Sequence, residues 1–188
     1  GFALTAYGIG AERGYVTRAE AALRTRDCMR FYWNAPQGPE AAGKTGYKGF
    51  FYHFLRNDDG TRFKTNELST VDTSLFLGGA LFAQSYYDRN DPVEAEIRDL
   101  AEKIYTRVDW TFVQRTNTGT EARNLAGSHG ITMGWKPEKG FETHDWVGYN
   151  EGMLVYILAL GSPTHPVGKD AWDKGWAADL EKDWGSYY

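Results

Sequence analysis

The chain has 188 residues, a formal net charge of −4 and one cysteine, Cys28. This length suits one domain with a core of its own, or one part of a larger domain. The acidic balance, without any block of basic residues, argues against nucleic-acid binding through phosphate neutralisation. A single cysteine excludes an intrachain disulfide and a zinc site made of cysteines. The longest apolar run, residues 152–161, is too short to span a bilayer.

The first elements predicted along the chain are two helices. Residues 2–9 have a helical pattern that we expect to end at the glycines beginning with Gly8. Thr17 and Glu20 have the spacing of a capping box, which predicts a helix that continues to about Trp33. A loop rich in proline and glycine then follows. The amino-terminal part of the chain is therefore predicted to be helical.

A short central stretch predicts β-structure. Residues 46–55 are rich in aromatic residues and form the best strand candidate. The turn residues at 57–60 predict a short β-hairpin in which residues 61–64 return alongside that strand. Residues 114–147 contain five glycines and little periodicity, so we expect a long irregular loop there. Loops of this length in compact domains usually serve a function or are mobile.

Two helices without a polar face are predicted, over residues 70–87 and 152–160. Because such helices lack a side suited to solvent, we expect them to be buried all round. Between them, Asp91 and Pro92 predict the start of an amphipathic helix, and a last weak helix is expected near residues 170–180. Alternating amphipathic and apolar helices are typical of concentric layers, as in an α/α toroid, and also of an ordinary bundle core. The predicted fold is therefore all-α in the main.

Acidic residues lie at the amino-terminal ends of both apolar helices. Glu67 and Asp72 stand at the start of the first, and Glu151 directly precedes the second. Buried carboxylates are costly unless they are paired or line a wet cavity, so we expect these three at the mouth of a cleft. Aromatic residues make up 15% of the chain, and their ring faces match the C–H faces of sugars. Together they predict a sugar-cleaving site, while helix capping and core packing are the competing interpretations.

Several motifs occur in a recognisable order along the chain: residues 46–55, 67–73, 107–110, 134–138, 148–151 and 160–166. On these motifs the chain resembles the bacterial glycoamylase-like domain of endo-β-1,2-glucanases and of cyclic β-1,2-glucan synthases. The resemblance implies an (α/α)6 toroid with a sugar-binding cleft at one end. It also implies that residues 1–188 are a single domain segment, the amino-terminal half of a larger catalytic domain, because the family's domain is longer.

The resemblance also implies which residues act on the substrate. Glu67 looks like the general acid and Glu151 like the nucleophile of the transglycosylases, while Asp72 would orient Glu67 or bind sugar hydroxyls. For Asp72, stabilisation by the helix N-terminus is an equal alternative. The implied substrate-binding residues, for whose aromatic members core packing is the alternative, are Tyr47, Phe50, Tyr52, His53, Trp135, Trp146, Tyr149 and Asn150. Asn150 departs from the synthases, which often have Asp there.

No cofactor and no metal are expected. Glu142, His144 and Asp145 have metal-capable side chains, but their tight spacing on a loop is weak support for a metal site. The expected partner is a glucan polysaccharide or oligosaccharide, and the remainder of the toroid or a second copy would complete the cleft. Three activities stay open: hydrolysis, transglycosylation within a synthase, and carbohydrate binding without catalysis. A glucanase would be periplasmic or secreted, and a synthase associated with the inner membrane.

Overall fold

A computed structural model describes residues 1–117 and 129–177. The chain divides into two compact units. The first (the helical unit) comprises residues 1–35 and 75–107, and the second (the sheet unit) comprises the rest. Within the described residues, no helix is both long and apolar enough to cross a membrane.

The structure combines α-helices with a small antiparallel sheet. In chain order, the elements of the described residues are α1 (Phe2–Glu12), α2 (Arg18–Asn34), β1 (Gly46–Tyr47), β2 (Phe50–Tyr52), β3 (Leu68–Ser69), α3 (Thr70–Tyr86), α4 (Pro92–Thr106), α5 (Trp110–Val113), β4 (Gly134–Lys136), β5 (Gly140–Phe141) and α6 (Met153–Leu160). A 3-10 turn follows α5 at Arg115–Asn117, and a π-helical turn lies at Ala171–Trp176. The predicted helix-rich character is therefore confirmed.

Side-chain caps begin two helices of the helical unit where the sequence predicts them. The Thr17 hydroxyl accepts from the backbone N–H of Glu20 (3.2 Å), and the Thr17 N–H donates to the Glu20 carboxylate (3.0 Å). At the start of α4, the Asp91 carboxylate accepts from the backbone N–H groups of Val93 and Glu94. These bonds satisfy helix N–H groups that would otherwise lack partners. The predicted capping box and proline-led helix are both confirmed.

Helix α1 is longer than predicted, because Gly8 does not end it. A Cβ atom built on Gly8 would lie 2.9 Å from Cε1 of Phe82 in α3. The glycine therefore serves close helix packing within the helical unit. The helix ends at Glu12, and Gly14 then adopts a left-handed conformation with φ of 72°. Gly14 is the last glycine of the stretch in which the helix is predicted to end, so the predicted glycine-terminated helix is confirmed.

A buried ion pair joins the amino-terminal ends of α2 and α4. Nε of Arg18 lies 2.7 Å from Oε1 of Glu94, and Nη2 lies 3.0 Å from Oε2. Nη2 of Arg18 also donates to the carbonyl of Tyr86 (2.8 Å). The Glu94 side chain is 5% exposed. The hydrogen bond from Arg18 outweighs the opposing effect of burial and lowers the pKa of Glu94.

The sheet unit contains five antiparallel strands in the order β1–β2–β3–β4–β5. The prediction of one strand over residues 46–55 is wrong, because the chain turns at Lys48 and Gly49 and forms the β1–β2 hairpin. Both residues have positive φ, 55° and 87°. Such two-residue turns match the twist of paired strands. The predicted return strand is reduced to one isolated bridge, between Leu55 and Arg62.

The prediction of an irregular loop over residues 114–147 is also wrong in part. This stretch supplies β4, which pairs with β3, and β5, which pairs with β4. Trp135 lies opposite Leu68 in this pairing. Strands of two or three residues are too short to show a period-2 pattern, so only their distant partners reveal them. Residues 118–128 of the stretch lie outside the described residues.

The second apolar helix, α6, is not buried on every side. In α6, Val155 and Tyr156 are fully buried, whereas Ile157 is 51% exposed. Single exposed apolar side chains are common on protein surfaces, and sequence alone does not distinguish them from core residues. The predicted end of the helix at Gly161 is confirmed.

Candidate active site

Glu67 and His53 lie side by side where β2 ends and β3 begins. The antiparallel pairing of the two strands brings these positions together. The backbone N–H of His53 donates to the carbonyl of Glu67 (2.9 Å), and Nδ1 of the imidazole lies 2.7 Å from Oε1 of the carboxylate. The two side chains are 38% and 28% exposed. The pair is therefore open to solvent while its backbone is held in the sheet.

Asp72 lies on the other side of the imidazole. Its Oδ2 is 3.6 Å from Nε2 of His53, which is an ion-pair distance and too long for a hydrogen bond. Ser69 holds this carboxylate, because its hydroxyl donates to Oδ2 (2.6 Å) and accepts from the backbone N–H of Asp72 (3.2 Å). The structure thus brings together three predicted residues, Glu67, His53 and Asp72. Ser69 was not predicted, and its spacing from Asp72 is the local signal that could have indicated it.

The neighbours of Glu67 set its ionisation. Partial burial on its own would raise the pKa of Glu67, but hydrogen bonds from its own backbone N–H and from His53, together with the Lys136 cation, outweigh burial. The pKa of Glu67 therefore lies below its usual range. The carboxylate form is the favoured one at neutral pH.

Gly134 lets β4 approach β3, the strand that directly follows Glu67. A Cβ atom at this position would lie 2.5 Å from the carbonyl oxygen of Leu68 and 3.0 Å from Cγ of Glu67. Two residues further along β4, Nζ of Lys136 lies 2.8 Å from Oε1 of Glu142. The absence of a side chain at Gly134 is thus a geometric requirement for this site.

Aromatic rings gather on the same sheet. The rings of Tyr47 and Trp135 lie 5.4 Å apart between centroids. Phe112 meets them edge-on, at 5.3 and 5.8 Å, and also packs against Phe141 at 5.0 Å. Trp135 lies opposite Leu68, the residue after Glu67, so the alternation of side chains places its ring on the Leu68 face of the sheet. Phe112 and Phe141 were not indicated by the sequence, because their elements are too short to predict.

Phe50 and Tyr52 are buried inside the sheet unit and do not form part of an exposed surface. Phe50 is fully buried and meets Trp110 edge-on, with 5.3 Å between ring centroids. Tyr52 is 3% exposed, and the guanidinium of Arg62 lies 4.8 Å from its ring centroid. All residues of β2 are buried, so the strand has no face open to a ligand. Packing within the unit is the role that these two positions support.

Glu151 lies in the sheet unit directly before α6. It is exposed, and within the described residues its side chain has no hydrogen bond or ion pair. The amide of Asn150 holds the turn around it, since its oxygen accepts from the N–H of Gly152 (2.9 Å) and its nitrogen donates to the carbonyl of Val147 (2.8 Å). Tyr149, beside them, is 62% exposed. This turn presents Glu151 and Tyr149 to solvent.

Trp146 links the Glu151 turn to the start of α3. A Cβ atom at Gly152 would lie 2.7 Å from atoms of the Trp146 ring, so the ring packs closely on that backbone. The indole N–H donates to the hydroxyl of Thr70 (2.9 Å). The hydroxyl of Tyr156 donates to the carbonyl of Trp146 (2.8 Å), and burial raises its pKa. Trp146 therefore anchors the Glu151 turn to the start of α3 within the sheet unit.

The metal-capable loop residues have other partners. Asp145 forms a buried ion pair with Arg115, whose guanidinium also donates to the carbonyl of Glu142 (2.8 Å). The Glu142 carboxylate pairs with Lys136. Within the described part of the chain, no group of acidic, histidine or cysteine side chains is arranged to hold a metal ion.

Sequence comparisons match the chain to carbohydrate-active relatives. A family model described as “Glycoamylase: Putative glucoamylase” matches residues 143–188, which include Glu151. The exo beta-1,2-glucooligosaccharide sophorohydrolase (non-reducing end) of Parabacteroides distasonis is 28% identical over 200 residues, covering 98% of this chain and 25% of the relative. These matches confirm the resemblance to glycoamylase-like domains.

Solved structures with the same fold agree. A “putative glucoamylase” from Bacteroides caccae is 28% identical, with a TM-score of 0.75, over 94% of this chain and 39% of that chain. An endo-beta-1,2-glucanase from Chitinophaga pinensis, in complex with sophorotriose and glucose, has a TM-score of 0.76. It is 22% identical over 94% of this chain and 38% of its own, which shows the fold alone. The chain thus spans 25% of the curated relative and less than two fifths of these solved chains.

Proposed function

We propose that the protein is a glycoside hydrolase of β-1,2-linked glucan. The observation that carries this proposal is the pairing of Glu67 with His53 beside Asp72. A partly exposed carboxylate that can exchange a proton meets one main need of glycoside hydrolysis, and the exposed ring of Phe54, stacked on His53, offers an apolar face to a sugar. The name of the sophorohydrolase relative, which refers to β-1,2-gluco-oligosaccharides, supports the linkage.

In this proposal, Glu67 is the general acid and Glu151 is the second catalytic carboxylate. The lowered pKa of Glu67 means that its proton has to be supplied, and Nδ1 of His53 lies 2.7 Å from the carboxylate. An imidazolium beside a carboxylate holds the same number of protons as a neutral imidazole beside a carboxylic acid. His53 is thus placed to load Glu67 with a proton for the leaving oxygen. Asp72 would orient the imidazole from its other side.

We also propose that the chain supplies one part of a larger catalytic domain with the (α/α)6 toroid architecture. The solved relatives are longer than this chain, and their matched portions cover less than two fifths of each. The apolar character of α3 and α6, with amphipathic α4 between them, supports inner and outer helical layers. The remainder of the toroid, or a second copy, would complete the cleft around the two carboxylates.

Hydrolysis is preferred to transglycosylation because the relative of 28% identity is a sophorohydrolase. The two activities differ in their products from linear β-1,2-glucan. A hydrolase releases short reducing oligosaccharides, whereas a transglycosylase yields longer or cyclic glucans. A carbohydrate-binding segment without catalysis would release neither. Product analysis of the full-length protein therefore separates the three activities.

The test compares the full-length protein with Glu67→Gln and Glu151→Gln on linear β-1,2-glucan. Each substitution keeps the side-chain shape but removes the ionisable group, so we expect kcat to fall at least about 100-fold. Glu40→Gln is the matched control, because Glu40 lies in the same unit and is exposed, with a surface ion pair to Lys44. Unimpaired cleavage by either catalytic variant would contradict its assignment.

A further inference from the structure

The segment that connects β2 to β3 lines a cavity of about 570 Å³, next to the candidate active site. Its lining residues are Phe54, Leu55, Arg56, Asn57, Asp58 and Phe63. Its volume is in the range of small-molecule binding sites. None of these residues has a role in the catalytic scheme of Glu67 and Glu151.

Two phenylalanine rings give the cavity an apolar wall. Phe54 is 57% exposed and Phe63 is 43% exposed. A ligand that covers an exposed ring removes apolar surface from water, and this favours binding. Their flat faces suit the C–H face of a sugar ring.

Hydrogen bonds fix the backbone that carries both rings. The N–H of Phe63 donates to the carbonyl of Phe54 (3.0 Å). The amide of Asn66 accepts from the N–H of Phe54 (3.0 Å) and donates to its carbonyl (3.1 Å). Because the wall is ordered before a ligand arrives, binding costs less conformational entropy.

The ring of Phe54 connects the cavity to the catalytic pair. It stacks on the imidazole of His53, with 4.1 Å between ring centroids and an interplanar angle of 12°. His53 in turn contacts Glu67. The cavity therefore adjoins the candidate catalytic pair through the Phe54 ring.

The polar side of the cavity suits a neutral ligand with many hydroxyl groups. Nε of Arg56 donates to Oδ1 of Asp58 (3.0 Å), and these side chains are 48% and 64% exposed. Asn57, between them, is also exposed. One cation and one anion line the cavity, so the lining favours neither a charged anion nor a charged cation. Guanidinium, amide and carboxylate groups offer both donors and acceptors to hydroxyls.

We propose that this cavity is a further sugar subsite, which binds a glucosyl residue of the glucan chain beyond the one held at Glu67. The inference rests on the proposed function, from which the substrate class is taken. In this subsite the sugar stacks on Phe63, and its hydroxyls bond to the polar groups of Arg56, Asn57 and Asp58.

The test is Phe63→Ala in the full-length protein, assayed on linear β-1,2-gluco-oligosaccharides of increasing length. Phe63 is chosen because Phe54 touches the catalytic His53. We expect the ratio of kcat/KM for long over short oligosaccharides to fall about fivefold. This factor corresponds to the binding free energy of one aromatic ring contact. Phe31→Ala is the control, because Phe31 is also 43% exposed but lies in α2 of the helical unit. A ratio equal to that of the unsubstituted protein overturns the subsite.

Calorimetry separates failure of the subsite from failure of the proposed function. Glu67→Gln and the double variant Glu67→Gln/Phe63→Ala are titrated with a long β-1,2-gluco-oligosaccharide. About fivefold weaker binding by the double variant supports the subsite, and equal binding overturns it. Absence of glucan cleavage by the unsubstituted protein contradicts the proposed hydrolase, while this titration still decides on the subsite.

Discussion

Two glutamates, one in each unit, both have a pKa below the usual range, yet their surroundings differ. Glu94 of the helical unit is 5% exposed and carries a bidentate bond from Arg18. Glu67 of the sheet unit is 28% exposed and is held by His53. The exposed fraction of each carboxylate decides which role its lowered pKa indicates. A buried, fully paired carboxylate serves stability, whereas an accessible one can also exchange its proton.

This difference separates the two units by role. The helical unit owes its order to capped helices and to the ion pair at the ends of α2 and α4. The sheet unit carries the candidate catalytic groups. Substitutions in the first should therefore change stability, and substitutions at the site of the second should change activity.

The largest stability effect is expected for Glu94→Gln. The substitution leaves the guanidinium of Arg18 without its buried partner, which should cost about 3 kcal/mol of unfolding free energy. Denaturant titration of the full-length protein measures the total. Hydrogen exchange should become faster for the amides of α2 and α4. An unchanged midpoint and unchanged exchange would show that the ion pair does not stabilise this unit.

The same pair gives a signed pH dependence. Because the pKa of Glu94 is lower in the folded state than in the unfolded chain, its contribution is complete above the unfolded value. The contribution is lost as pH falls through the lower, folded pKa. The acid side of the stability profile should therefore be flatter in Glu94→Gln. A profile with the same slope in both proteins would contradict the assignment.

The largest activity effect outside the two carboxylates is expected for His53→Gln. The new amide keeps a donor for Glu67 but cannot supply a proton, so we expect kcat to fall about 100-fold with little loss of stability. His144→Gln is a control at an exposed histidine. Normal kcat in His53→Gln would limit this residue to a hydrogen-bonding role.

A smaller effect on both stability and activity is expected for Gly134→Ala. The added Cβ would lie 2.5 Å from the backbone oxygen of Leu68, so β3 and β4 must separate. We expect a loss of about 2 kcal/mol in stability and a displaced Glu67 with lower kcat. Gly168→Ala is the matched control, since a Cβ there has no atom within 4 Å. Equal behaviour of the two variants would mean that the strands absorb the methyl group.

Local signals explain which parts of the fold were predictable. Thr17 with Glu20, and Asp91 ahead of its proline, act within one turn of the chain, so the sequence alone showed where both helices begin. The pairing of Trp135 with Leu68 joins residues far apart in sequence. No window around either residue contains that information, because short strands are defined by their partners.

The residues of the candidate site also fall into those that the sequence predicts and those that it does not. Glu67 and His53 were predicted from motifs, and the structure brings them within hydrogen-bond distance. Phe112 was missed because its ring contacts residues of distant strands, whereas Ser69 was missed although its bond to Asp72 spans only three residues. Phe50 was predicted to contact substrate. Its ring is buried instead, because both faces of β2 are covered. Chemistry was thus easier to predict from the sequence than exposure.

The smallest effect is expected for the capping box at the start of α2. Thr17→Ala removes the hydroxyl that accepts from the Glu20 N–H, which should cost about 1 kcal/mol. Because the helix lies in the helical unit, kcat on β-1,2-glucan should stay unchanged. Thr65→Ala is the control, at an exposed threonine of the sheet unit that begins no helix. Denaturant titration and hydrogen exchange of the first turn of α2 check the cost. Lower kcat in Thr17→Ala, without faster exchange, would break the separation of stability from activity between the two units.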